Sequence, residues 1–158
     1  MNPTPTQANW RGNDLVLTRD DSEVDRLDAS QIERVILVCR DGATPGDLAF
    51  ALIETAQEHL LLPASTGIAG CIHFERQSFW AARPCIYWVD ERRAPLPRRL
   101  RPGLWLLRRQ RPAAMRLPRA ELDAVVQAWP LDGPMSWEQR KWRRIEEGRA
   151  LSMGTPPR

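Results

Sequence analysis

Residues 35 to 38 read Val-Ile-Leu-Val, at the centre of "IERVILVCR". No polar residue interrupts the run, so a strand here has no face to offer to water. It reads as the strongest strand in the chain, covered on both faces. That constraint governs how the flanking segments are read.

Before it, "DLVLTRDDSEVDRLD" sets Leu15 and Leu17 in alternation, then a polar turn at Asp20, Asp21 and Ser22, then Val24 and Leu27. This is the pattern of a β-hairpin. After it, residues 44–62 allow two readings. Thr44, Pro45 and Asp47 resemble a helix start. The alternative is a hairpin with strands at 48–53 and 59–62 around "ETAQE". The hairpin is favoured, because the run shows no polar helical face before Glu54. "STGIAGCIHFERQSFWAA", 65–82, fits a helix with Ile68, Ile72 and Phe79 on one side. "PCIYWVD" and "GLWLLRR" read as strands. "PRAELDAVVQAW", 118–129, reads as a helix opened by Pro118, with Leu122, Val125, Val126 and Trp129 as its apolar stripe. "SWEQRKWRRIEEGRA" reads as a last helix, with Ser136 and Gln139 forming a capping box. Its row of Trp142 and Ile145 is expected to pack on the sheet. A helix that left this row bare would instead suit a partner or an anionic membrane surface.

The order of elements predicts an α+β fold: a mostly antiparallel sheet with an early meander, and about three helices, two of them C-terminal. Residues 10–150 form a single domain, with tails at 1–9 and 151–158. The early meander feeding a C-terminal helix resembles the architecture of pleckstrin-homology-like folds over the first two thirds. No motif carries the resemblance, and it transfers no binding residue.

Charge is unevenly spread. Residues 1–75 hold five arginines against 12 acids, a net of −7; residues 76–158 hold 18 basic residues against eight acids, a net of +10. Such a split points to an acidic or nucleic-acid partner, or to pairing within the fold. Lys141 is the only lysine. That exclusion looks like a GC-rich coding bias of a bacterial type. Cys39, Cys71 and Cys85 follow no metal-like or disulfide spacing, so reduced thiols in a cytoplasm are expected. The start "MNPTPTQANW" lacks a signal-peptide pattern. The stretch from His59 to Phe74 is free of acids, lysine and arginine, but too short and too glycine- and proline-bearing to span a membrane.

Three places could carry chemistry. On a strand, Cys71, His73 and Glu75 would share a face, as a nucleophile, base and acid or as three metal ligands. On the favoured helix, His73 points away and the set dissolves. Neither a phosphate loop nor a calcium loop is present, and neither metal nor cofactor is expected. The acids Asp20, Asp21, Glu23, Asp25 and Asp28 read as a solvated hairpin tip. Between residues 92 and 119 lie ten arginines and no acid. Arg92, Arg93, Arg98, Arg99, Arg101, Arg108, Arg109 and Arg111, joined by Lys141 and Arg144 of the last helix, form the candidate binding surface. Trp88 and Trp105 sit in apolar runs and read as core, not as base-stacking platforms. The function expected is that of a non-enzymatic binding or adaptor domain engaging an acidic protein, with self-association as a further mode. Nucleic-acid binding is the second reading, and a Cys/His-dependent enzyme the third.

Overall fold

The structure, a computed structural model, describes residues 5–40, 48–67, 85–100 and 114–153, apart from the side chains at 137, 144 and 151–153. The described residues form an α+β fold with mostly antiparallel strands in two sheets, and two α-helices. The helix expected over 65–82 lies outside them from residue 68 onward, and so does the strand expected at 103–109.

The first sheet is a meander of β1 (Gln7–Arg11), β2 (Asp14–Arg19) and β3 (Ser22–Asp28). β1 reaches into residues 7–9, which the sequence reading left in the tail. Between β2 and β3, Asp20 and Asp21 stand at φ 52° and 60°. A two-residue hairpin turn of type I′ needs both central residues left-handed, and aspartate tolerates this better than most side chains. Val24 falls between Glu23, opposite Thr18, and Asp25, opposite Leu17, and has no partner of its own. It is a bulge residue and faces solvent.

The second sheet contains β4 (Ile32–Cys39), β5 (Leu48–Thr55), β6 (Glu58–Pro63), β7 (Ile86–Asp90) and β8 (Met115–Pro118), in the order β7-β4-β5-β6-β8. The expected 48–62 hairpin is present as β5 and β6. Leu48 to Ile53 are all buried, which a surface helix could not achieve. β7 crosses to the far side of β4 and runs parallel to it. There the architecture departs from a simple meander.

The apolar run of β4 serves two cores. Val35 and Leu37 join Ile53, Leu60, Leu62 and Trp88 on one face, against Leu15, Leu17 and Leu27 of the small sheet. Ile36 and Val38 join Leu52, Leu61 and Val89 on the other, against Leu122, Val126 and Trp129. These last residues belong to and follow α1 (Arg119–Gln127). The order is therefore small sheet, large sheet, then helix. Each fully buried leucine, isoleucine or valine contributes roughly 1.5–3 kcal/mol. Residues 91–100 complete the second core with Ala94, Leu96 and Leu100, and the Trp129 indole N–H donates to the Pro95 carbonyl at 3.3 Å.

The open edge of β7 is covered by residues 132–135. The Trp88 and Asp132 backbones exchange two hydrogen bonds at 2.8 Å, and the Met135 N–H donates to the Ile86 carbonyl at 3.0 Å. Gly133, at φ 135°, makes this approach feasible: a Cβ there would stand 2.8 Å from the Ile86 oxygen. The helix α2 (Trp137–Met153) follows. Its capping box forms as expected, with the Ser136 N–H donating to Gln139 Oε1 and the Gln139 N–H to Ser136 Oγ.

The docking of α2 corrects the sequence reading. Trp142 does not pack on the sheet; it is 56% exposed. Arg140 is the buried contact instead. Its guanidinium lies 4.7 Å from the centroid of the Trp88 ring, and Nη1 approaches Cys39 Sγ at 3.5 Å. A guanidinium stacks on an indole through the ring quadrupole, and its stem fills apolar space. Arg140→Ala is expected to lower stability by about 2 kcal/mol, because it removes a desolvated cation–π contact. Urea unfolding followed by tryptophan fluorescence measures this, and an unchanged midpoint would refute the docking role of Arg140.

Candidate functional site

Two arrangements stand out: a buried polar row under the start of α1, and an arginine-bearing arm across its flank. The row follows from strand register. Arg34 on β4 lies opposite Glu54 on β5, and Glu54 lies opposite His59 on β6. All three share the face of Ile36, Leu52 and Leu61, so their side chains form a line within the second core. Glu54 Oε1 accepts from Arg34 Nη2 at 2.9 Å and pairs with His59 Nε2 at 2.9 Å. Its other oxygen accepts from Arg34 Nε. The Arg34 guanidinium also lies 5.3 Å from the Tyr87 ring centroid. Asp123 of α1 brings Oδ1 to 3.7 Å from His59 Nε2, and Arg119 Nε donates to that oxygen at 3.2 Å. Arg119 reaches on to Glu33 at 2.8 Å.

Burial pushes the Glu54 carboxyl upward, but hydrogen bonds from His59 and Arg34 outweigh it and hold the group at about 2. Glu54 is therefore a buried carboxylate with both oxygens engaged. Glu54, His59 and Asp123 also offer three ligand atoms within 4.8 Å of one another. The chemistry of the donors argues against a metal there. Oε1 of Glu54 is already shared by Arg34 and His59, and a second guanidinium holds Asp123. A metal on His59 Nε2 would move the ring proton to Nδ1, which is buried with no partner among the described residues. Metal-bound histidines almost always donate from the second nitrogen. The row reads as an electrostatic tie among β4, β5, β6 and α1.

No family model, curated protein or solved structure matches the chain.

The acids expected at a solvated hairpin tip are partly engaged. Asp20 and Asp21 form the exposed tip. Glu23 pairs with Arg26, and Asp28 accepts from the Ser30 N–H at 2.8 Å. Asp25 holds Arg116 of β8 through two bonds, at 2.7 and 2.9 Å. Arg116 also donates to Glu58 at 2.8 Å and to the Arg26 carbonyl at 3.0 Å. This one guanidinium ties β3 of the small sheet to β6 of the large one, beside a polar cleft of about 560 Å³ lined by Leu27, Gln31, Thr55 and Glu58.

The arm is the second arrangement. Two 3₁₀ turns, Glu91–Arg93 and Arg98–Leu100, carry it. Ala94, Leu96 and Leu100 point into the second core, while Arg92, Arg93, Arg98 and Arg99 are exposed. Arg99 pairs with Glu121 of α1. Lys141 is exposed on α2. Arg101, Arg108, Arg109 and Arg111 lie outside the described residues, as do Cys71, His73, Glu75 and the side chain of Arg144. Sequence reasoning missed Arg34, Glu54 and His59, whose alignment depends on strand register.

Because Glu54 titrates below its ordinary 4.5 in the folded chain, the stability it contributes is complete above that pH. It is lost as pH falls from about 4.5 toward about 2. Glu54→Gln is expected to cost about 3 kcal/mol at neutral pH, with the gap to wild type closing in that acid window. Chemical unfolding at a series of pH values checks this. A gap independent of pH would contradict it.

Proposed function

We propose that the chain is a cytoplasmic, non-enzymatic binding domain whose arginine-bearing arm at residues 91–100 engages an acidic protein partner. The observation that carries the reading is the alternation along the arm. Buried Ala94, Leu96 and Leu100 fix the backbone while Arg92 and Arg93 before them, and Arg98 and Arg99 between them, face solvent. A segment already ordered by its anchors loses little freedom on binding. Guanidinium forks suit carboxylates, which they grip with two parallel bonds.

The contrast with other arginines of the basic half supports the choice of surface. Arg116 and Arg119 turn toward Asp25, Glu58, Glu33 and Asp123 and are spent on the fold. Arg92, Arg93 and Arg98 make no salt bridge to another described residue. Arg101 continues directly from the arm, and Arg108, Arg109 and Arg111 extend its basic sequence. The saturated carboxylates around His59 favour a structural part for the most conspicuous polar cluster. Cys39 and Cys85 are both buried.

The test compares wild type with the triple variant Arg92→Ala, Arg93→Ala, Arg98→Ala by fluorescence anisotropy. The probes are a labelled glutamate-rich peptide and a single-stranded oligonucleotide of equal charge, each at two salt concentrations. Wild type is expected to bind the peptide, and the variant to bind it roughly tenfold more weakly, from three exposed ion pairs of about 0.5 kcal/mol each. Equal peptide affinity in the two proteins would remove the arm from the interface. Tighter, more steeply salt-dependent binding of the oligonucleotide would replace the proposal with nucleic-acid recognition.

A further inference from the structure

The helix α2 is held to the body by one side of its first turns. Arg140 is 5% exposed and stacks on Trp88, and Arg143 pairs with Asp132 at 2.7 Å. At 100° per residue, the side directly away from Arg140 carries Glu138, Trp142, Ile145 and Arg149. Their spacings of four, three and four residues are those of a coiled-coil seam. Trp142 is one of two exposed large apolar residues among those described. It borders a surface concavity of about 590 Å³ whose other walls are Ser136, Glu138, Gln139, Arg143 and Glu146. The seam thus faces outward at Glu138, Trp142 and Arg149, with Ile145 half-buried beside Trp142, and it carries opposite charges at its ends.

We infer that this seam pairs antiparallel with the same seam of a second copy of the chain. A two-fold axis midway between residues 143 and 144 places Trp142 against Ile145 of the partner, and Glu138 against Arg149 of the partner. Both contacts occur twice, as isologous pairing requires. A parallel arrangement would set Glu138 against Glu138 and Arg149 against Arg149, so the charges choose the direction. Arg149 keeps an interaction within its own chain, and pairing adds a contact to it. The seam spans only about three turns, so the dimer is weak and concentration-dependent. This inference is independent of the arm: α2 can pair whether or not residues 91–100 bind an acidic protein.

Charge exchange across the two-fold axis tests it. Glu138→Arg in every chain sets arginine against Arg149, and Arg149→Glu in every chain sets glutamate against Glu138. Each variant alone is expected to sediment as a monomer at concentrations where wild type approaches twice the chain mass. An equimolar mixture of the two restores both opposite-charge pairs and is expected to recover the dimer as a heterodimer. Trp142→Ala is expected to lose it. Circular dichroism confirms that each variant retains the fold; the two charge variants change surface positions only, so the test stands even if Trp142→Ala misfolds. Wild type monomeric at every concentration overturns the inference. So does a dimer that survives both single reversals, or a mixture that stays monomeric.

Discussion

Everything in this architecture follows from a strand that water cannot touch on either side. Val35 and Leu37 face one way, Ile36 and Val38 the other, and all four are buried. The small sheet supplies one cover. The other cover is composite, because α1 is only nine residues long and cannot span five strands. Residues 91–100 fill the remainder with Ala94, Leu96 and Leu100. The display of arginines is thus a by-product of roofing: a segment with alternate residues committed to the core must present the others to solvent.

The opposite charges of the two halves meet mainly at joints between elements. Arg116 joins the two sheets and Arg119 joins α1 to β4, while within the basic half Arg143 joins α2 to the strip along β7. Partly exposed pairs of this kind contribute little each. Their value is in orientation, since a guanidinium shared by two acids admits few relative placements of the elements that carry them. Glu54 differs in kind. It is sequestered beneath α1, and its charge is tolerated only because Arg34 and His59 approach along the sheet.

Much of the fold could be read from local pattern. The uninterrupted run of β4, the Asp20–Asp21 turn, the stripe of α1 and the Ser136–Gln139 box are all short-range signals, and the structure contains each. β1 was missed although Ala8 and Trp10 alternate before Gly12, because the polar flanks at Asn2 to Gln7 resemble a tail. The polar row needed one more step. With "ETAQE" taken as the loop, Glu54 belongs to the turn. The turn is tighter, with the Thr55 hydroxyl and Glu58 backbone closing it, so Glu54 and His59 become facing residues. Arg34 joins them only through a non-local register that no short window contains. Trp142 was misread because an aromatic at helical spacing from isoleucine normally marks the buried side. Here a buried arginine on the opposite side took that place.

The reach of Arg116 bears on how the chain acquires its shape. Its bonds to Asp25 span 91 residues of sequence, and the one to Glu58 spans 58. The β1–β3 meander, by contrast, closes through local turns and can form early. During synthesis the small sheet is therefore free to form before β8 emerges to clamp it. Until β4 to β7 assemble beneath it, its Leu15, Leu17 and Leu27 face is open to other chains. The bulge at Val24 and the charged tip at Asp20 and Asp21 roughen β3, one of the two edge strands, during that interval. A feature that adds little to the finished molecule thereby guards its most vulnerable stage.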